Sequence, residues 1–302
     1  MAKCIEVILN AGSGAQRARE ASAKLEKVFR ESDRPFNISV SQGEELVRLA
    51  REKATSECEI LVAAGGDGTI CTVGEVALHT GKTLGVIPLG TFNYFARNLA
   101  IPLDIEAAAR VILNGCQVRA SVLDLDGRLV LNNSSLGIHP GVLIKRRELY
   151  RRFGRSQLSA YLSVILSAFR SPPRLRVRLA TKEGEVVRET PAVLVCSNAY
   201  QVETFKLVGR ECLDRGKFVV YVARMSGRYT VFRLGLRTVL RQLRMQTDYE
   251  VFCAQDVTID AIRHKHLRAA VDGELERLQS PMRFRIAPRE LIVLAPREGE
   301  AE

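Results

Sequence analysis

The chain has 302 residues, 46% hydrophobic and 26% charged. This balance excludes a disordered, collagen-like or coiled-coil chain and suits about two globular domains. Lys and Arg number 45 against 34 Asp and Glu, a formal +11, which favours anionic partners such as nucleotides, nucleic acid or acidic lipid without choosing among them.

In chain order, Cys4–Leu9 reads as a buried strand and Asn10–Gly14 as a loop. Gln16–Glu31 carries Ala18, Ala21, Leu25, Val28 and Phe29 at helical spacing. A strand at Phe36–Val40, a helix at Glu44–Ala54 and a strand at Ile60–Ala64 follow, the last ended by Gly65-Gly66-Asp67-Gly68-Thr69. Ile70–His79 reads as a helix, Thr83–Ile87 as a fourth strand, and Phe92–Leu99 and Ile105–Leu113 as two more helices. This alternation predicts an α/β N-terminal domain with an open parallel sheet covered on both faces. The rhythm changes near residue 120. Val122–Leu125, Leu129–Asn133, Leu175–Ala180, Val186–Ser197, Phe218–Ala223, Glu250–Cys253, Val257–Ile262 and Leu267–Val271 read as strands of a β-rich C-terminal sandwich or barrel, interrupted by helical stretches near 143–169 and 229–245. The predicted domains are 1–120 and 121–288.

The 7 cysteines are scattered, odd in number and without a C-x-x-C pair. The expectation is a reducing cytoplasm, with neither a disulfide framework nor a zinc site. No apolar run reaches the ~20 residues of a membrane span, and the N-terminus lacks the length and cleavage site of a signal peptide. His264 and His266 alternate on one side of a strand, but a metal pair there lacks a third ligand.

Gly65-Gly66-Asp67-Gly68-Thr69 follows a buried strand and opens a helix. Glycines there let backbone N–H groups approach phosphate oxygens, and the helix N-terminus adds partial positive charge. Asp67 is placed to hold a phosphate-bound Mg²⁺ or a ribose hydroxyl. Two companions, Asn10-Ala11-Gly12-Ser13-Gly14 and Pro88-Leu89-Gly90-Thr91-Phe92-Asn93, end other parallel strands, so all three loops should open on one sheet edge. No G-x-x-x-x-G-K-[ST] P-loop occurs, so this is a different phosphate cradle. Far along, Asp272-Gly273-Glu274 reads either as a hairpin turn or as a source of the carboxylate that accepts a hydroxyl proton in phosphoryl transfer.

These four motifs together resemble the diacylglycerol kinase catalytic-domain family, which includes bacterial soluble lipid kinases and the sphingosine and ceramide kinases. The G-G-D-G-T motif is shared with NAD kinases. The G-T-x-N-x-F-A-R run at Gly90–Arg97 with a distal D-G-E is more specific. The resemblance implies a nucleotide-binding, NAD-kinase-like α/β domain and a β-rich lipid-substrate domain, with the active site between them and the C-terminal strand, 289–302, returning to the first. It implies ATP bound by Asn10, Gly12, Ser13, Gly14, Gly66–Thr69 and Thr91, helped by Ser41, with Mg²⁺ on the phosphates. It implies Asp272 as catalytic base, with Glu274 as the alternative. Two positions depart from the family pattern. Tyr94 stands where many members have Asp, and Arg215 stands at the second Asp of an L-D-D-G-x-F run that holds a structural Mg²⁺ in some members. That Mg²⁺ site, at 213–218, is expected to be absent or altered.

Lys145, Arg146, Arg147, Arg151, Arg152 and Arg155 form one basic cluster, and Arg228, Arg233, Arg237, Arg241 and Arg244 another. Both suit peripheral contact with an anionic membrane surface. The sequence therefore reads as an ATP-dependent kinase acting on a lipid hydroxyl, cytoplasmic and peripherally membrane-associated, with room for a homodimer. An NAD kinase and a non-catalytic nucleotide- or lipid-binding protein are the alternatives. With aromatics at 6% and no stacking motif, nucleic acid is not an expected partner.

Overall fold

A computed structural model describes residues 4–32, 34–43, 45–138, 140, 175–224 and 248–297. The two basic clusters and the helical stretches predicted at 143–169 and 229–245 lie outside the described residues. The chain forms two compact units, Met1–Val122 with Ala287–Glu302, and Leu123–Ile286.

The first unit runs β1 (Ile5–Asn10), α1 (Ala15–Arg30), β2 (Phe36–Ser41), α2 (Glu45–Ala54), β3 (Ile60–Gly65), α3 (Asp67–Thr80), β4 (Thr83–Pro88), α4 (Tyr94–Asn98), α5 (Ile105–Asn114) and β5 (Cys116–Ala120). A last strand, numbered β18 (Leu291–Ala295), closes it. The sheet order is β2-β1-β3-β4-β18-β5. β3 and β4 are buried along their whole length, the signature of strands covered on both faces. α1 buries the stripe Ala18, Ala21, Leu25, Val28 and Phe29. The Asp104 side chain caps α5 by accepting the Ala107 N–H at 2.9 Å, satisfying an N–H that the first helical turn leaves without an intrahelical partner. The sheet is mixed, because β18 pairs parallel with β4 but antiparallel with β5. β5 escapes a sequence reading because its alternating, partly exposed residues lack the continuous apolar run of the central strands.

Among the described residues, the second unit is a sandwich of two six-stranded antiparallel sheets. One comprises β6 (Leu123–Leu125), β7 (Arg128–Val130), β9 (Leu175–Thr181), β10 (Gly184–Thr190), β14 (Asp256–Ala261) and β17 (Met282–Ile286). The other comprises β8 (Asn133–Gly137), β11 (Ala192–Cys196), β12 (Phe218–Ala223), β13 (Tyr249–Ala254), β15 (His266–Val271) and β16 (Glu274–Gln279). Their strand orders are β10-β9-β14-β17-β6-β7 and β13-β12-β11-β8-β15-β16. The core lies between them, with Leu125, Val177, Ile259 and Phe284 from the first sheet meeting Leu136, Val195, Phe218 and Val220 from the second. Two short helices, α6 (Ala199–Thr204) and α7 (Arg210–Asp214), pack on the outer face of the second sheet through Val202, Cys212, Val219 and Tyr221.

Three sequence expectations need correction. The strand read over Val186–Ser197 is two strands, β10 and β11, separated at Pro191, which has no N–H to give a ladder. The strand read over Leu129–Asn133 is likewise divided between β7 and β8, because the intervening N–H groups of Leu131 and Asn132 turn to the Asp272 carboxylate. Finally, disulfides join Cys4 to Cys58 and Cys212 to Cys253, while Cys71, Cys116 and Cys196 are free. Spacing could not reveal these pairs. Cys4 leads into β1 and Cys58 into the neighbouring β3, so the strand pairing of Ile5 with Ile60 brings them together.

Candidate functional site

In the first unit, parallel register aligns four strand ends. Asn10 lies opposite Ser41, Leu9 opposite Ala64, and Gly65 opposite Pro88. The loops after these ends leave from one sheet edge, the edge where open α/β sheets bind ligands.

Side chains and bare backbone lock the loops together. Asn10 Oδ1 accepts the Gly12 N–H at 2.8 Å, and Asn10 Nδ2 donates to Thr69 Oγ1 at 2.7 Å, tying the first loop to the second. The Leu89 N–H donates to the Gly65 carbonyl at 2.8 Å, tying the second to the third. Asn93, buried and in the left-handed region at φ 51°, accepts the Gly90 N–H at 2.9 Å and donates to the Gly90 carbonyl at 3.0 Å. Gly66 and Gly90 cross backbone to backbone: a Cβ built on Gly90 would lie 2.7 Å from the Gly66 Cα, and one on Gly66 would lie 3.3 Å from the Gly90 Cα. No side chain caps the first turn of α3, which leaves its N–H groups for an anion. Ser41 is only 6% exposed and its Oγ has no hydrogen-bond partner. A buried orphan hydroxyl beside Asn10 and a crossing that leaves no room for a Cβ at Gly90 and little at Gly66 both fit a phosphate-bearing ligand. Gly14, at φ 117°, has open space where a Cβ would stand. Ser13 closes the short turn Ala11–Ser13, Gly68 lies in the first turn of α3, and Thr91 is exposed.

Asp67 faces the third loop, its Oδ1 accepting the Phe95 N–H at 3.1 Å. Burial is the largest effect on its carboxyl and holds it above the ordinary 3.8, opposed by the backbone N–H groups of Phe95, Asn93 and Tyr94. Because the folded value is raised, the contribution to stability is full below the unfolded value and is lost as pH rises through the folded one. Asp67→Asn keeps an acceptor for Phe95 and cannot ionise. It should match or exceed the parent in urea denaturation at neutral pH and lose that advantage near the ordinary carboxylate range. Among the described residues no three His, Cys, Asp or Glu side chains gather as a metal site, so a Mg²⁺ beside Asp67 would draw its other ligands from phosphate and water. Tyr94 stacks on Phe92 with centroids 5.4 Å apart.

Asp272 and Glu274 belong to the second unit. Asp272 (φ 46°) and Gly273 (φ 84°) form the β15–β16 turn, as Asp-Gly does in tight hairpins. The Asp272 carboxylate is a bracket: Oδ2 accepts the Leu131 N–H at 2.8 Å, and Oδ1 accepts those of Asn132 at 2.7 Å and Asn133 at 3.1 Å. These occupy three of its roughly four acceptor positions. A side-chain network continues from there. Asn133 Nδ2 donates to Gln201 Oε1 at 2.9 Å, the Gln201 N–H to Asn198 Oδ1 at 2.8 Å, and Asn198 Nδ2 to Asn132 Oδ1 at 2.7 Å. Sequence reading missed these three asparagines and Gln201; the available signal was the polar run Asn132-Asn133-Ser134-Ser135 inside an apolar β region. Burial pushes the neighbouring Cys196 thiol up to about 12, with the Asp272 charge adding to it, so Cys196 is no thiolate nucleophile. Glu274 is exposed and pairs with Val271 in the ladder. In the 213–218 loop, Asp214 accepts the Arg210 Nε–H at 2.8 Å and Gly216 turns at φ 67°.

Three interlocked glycine loops gather at one edge of the mixed sheet of the first, α/β unit, and a β sandwich makes up the second. Residues 5–125 match the family model of the diacylglycerol kinase catalytic domain. The chain is 34% identical over 135 residues to a diacylglycerol kinase of Bacillus subtilis (strain 168), covering 43% of this chain and 44% of the relative. It is 33% identical over 144 residues to one of Staphylococcus aureus (strain MRSA252), covering 45% and 44%. The matched stretch thus spans less than half the length of these relatives. A solved diacylglycerol kinase structure from Bacillus anthracis str. Sterne superposes with a TM-score of 0.73 at 19% identity, covering 97% of this chain and 96% of that one. A second structure from the same organism gives 0.76 at 16%, covering 97% and 96%. These likenesses are of fold. No helix among the described residues is long and apolar enough to cross a membrane.

Proposed function

We propose that this protein is an ATP-dependent kinase that transfers the γ-phosphate to a hydroxyl of a lipid such as diacylglycerol, working in the cytoplasm in peripheral contact with an anionic membrane. The observation that carries the reading is the bare Gly66–Gly90 crossing at the uncapped start of α3, with the orphan Ser41 hydroxyl on the same sheet edge. The relatives named diacylglycerol kinase supply the direction toward lipid.

In this reading the amides of the Gly12–Gly14, Gly66–Thr69 and Gly90–Thr91 loops cradle the phosphates, and Ser41 donates to the nucleotide. Asn10, through Thr69, and Asn93, through Gly90, hold the loops so that no reorganisation is needed when charge spreads over the transferred group. The acceptor oxygen forms the new bond to the γ-phosphorus as the bond to the ADP oxygen breaks in line. The acceptor proton passes to a carboxylate of the Asp272-Gly273-Glu274 turn, Asp272 first and Glu274 as the alternative. A bound Mg²⁺, held by Asp67 and the phosphates, supplies charge neutralisation there.

Labelled ATP offered with diacylglycerol, with a total lipid extract and with NAD is expected to place label in a lipid product identified by mass. Label in NAD instead would mark an NAD kinase, and tight nucleotide binding with no transfer to any acceptor would mark a binding protein. Either outcome overturns the reading.

A further inference from the structure

In the second unit, antiparallel register sets arginine against acid. Arg285 stands opposite Asp124 and Asp256, Arg176 opposite Glu189, and Arg178 opposite Asp260. Directly opposed charges of opposite sign stabilise such a ladder, and like charges destabilise it. The β15–β16 hairpin breaks the pattern, with Arg268 directly opposite Arg277. Both are exposed. Among the described residues neither has a hydrogen bond or ion pair to a carboxylate. Leu267, Ala269 and Val271 pack into the sandwich core, so the alternation along β15 turns Arg268, and with it Arg277, to the other face.

The charge continues along the segment that leads into β15, where Arg263, His264, Lys265 and His266 are all exposed. The nearby acids are engaged elsewhere: Glu276 pairs with Arg128, Asp260 accepts the Ser280 hydroxyl, and Asp126 accepts the Arg283 N–H. β16 is the edge strand of its sheet, so among the described residues no further strand flanks it. A hollow of about 400 Å³ adjoins Arg277, lined also by Leu125, Asp126, Arg128, Leu278 and Pro281. An opposed pair of guanidinium groups, with no carboxylate bound to either among the described residues and backed by further cations, is complementary to phosphate, whose oxygens match the planar N–H fork of arginine.

We propose that the strip formed by Arg263, Lys265, Arg268 and Arg277 is a contact surface for the phosphates of anionic lipid headgroups in a membrane. It deepens the reading of a lipid-directed protein and rests on that reading for the choice of partner. Vesicle binding without nucleotide measures it apart from phosphoryl transfer, so either can fail while the other stands.

The test is sedimentation of the full chain with vesicles of phosphatidylcholine alone and of phosphatidylcholine mixed with phosphatidylglycerol. The double variant Arg268→Gln/Arg277→Gln should bind the anionic vesicles roughly tenfold more weakly, bind neutral vesicles as the parent does, and melt at the same or a higher temperature because the like-charge opposition is gone. Arg30→Gln/Arg48→Gln removes the same net charge from arginines already paired with Glu26 and Glu45, and should change anionic-vesicle binding by no more than about twofold, since distant charges are screened. Equal losses in the two double variants, no loss in the first, or a lowered melting temperature for it would overturn the proposal. So would saturable binding of inorganic phosphate that the first variant abolishes while vesicle binding persists, because the site would then serve a soluble anion.

Discussion

Asp272→Ala should lower the unfolding free energy by about 2–4 kcal/mol, because the N–H groups of Leu131, Asn132 and Asn133 lose their acceptor together. Alanine at φ 46° adds backbone strain. Urea denaturation read by circular dichroism measures the loss, and a change below about 1 kcal/mol would show that the bracket carries little stability. Lost turnover in this variant therefore does not by itself identify a proton acceptor. Glu274→Gln supplies the missing comparison. Glu274 is exposed, so its replacement should leave stability within about 0.5 kcal/mol. If Asp272 is the base, Glu274→Gln keeps near-parental kcat, whereas Asp272→Asn loses roughly 100-fold or more in kcat at temperatures where it remains folded and binds ATP. The reverse pattern transfers the role to Glu274.

Gly90→Ala should abolish measurable ATP binding, and Gly66→Ala should only weaken it. A Cβ on Gly90 would sit 2.7 Å from both the Gly66 Cα and the Asn93 Oδ1, whereas one on Gly66 has its nearest neighbour at 3.3 Å. The first substitution must push the crossing backbones away from each other and break the Asn93 clasp; the second asks for a shift of a few tenths of an ångström. Isothermal titration with ATP and Mg²⁺ gives the ranking. Parental affinity for Gly90→Ala would mean that the crossing does not shape the nucleotide site. Both variants keep the Asn10–Thr69 tie, so the comparison isolates the crossing from the rest of the loop network.

The strands that build this sheet edge are legible in the sequence because Cys4–Leu9, Ile60–Ala64 and Thr83–Ile87 are nearly unbroken apolar runs, each ending in a glycine motif. Parallel strands present their ends together, which makes the convergence of the three loops readable from order alone. The structural duties of individual residues are not. Asn10 and Asn93 read as ligand contacts, yet both spend their amides holding the loops. Asp272 reads as an acid in a turn, and its binding of residues about 140 positions earlier leaves no local pattern. β16, Glu-Leu-Glu-Arg-Leu-Gln, escapes notice because charges crowd an edge strand, and the two disulfides depend on which strands become neighbours.

The last strand of the first unit has a consequence for biosynthesis. β18 lies inside the sheet, flanked by β4 and β5, yet it is translated only after the entire sandwich. On the ribosome, the place between β4 and β5 can therefore be filled only after the strands of the sandwich, β6 to β17, have been made. The first unit thus completes its sheet only with β18, and the open place beside β4 is the point most open to chaperone capture or mispairing during synthesis.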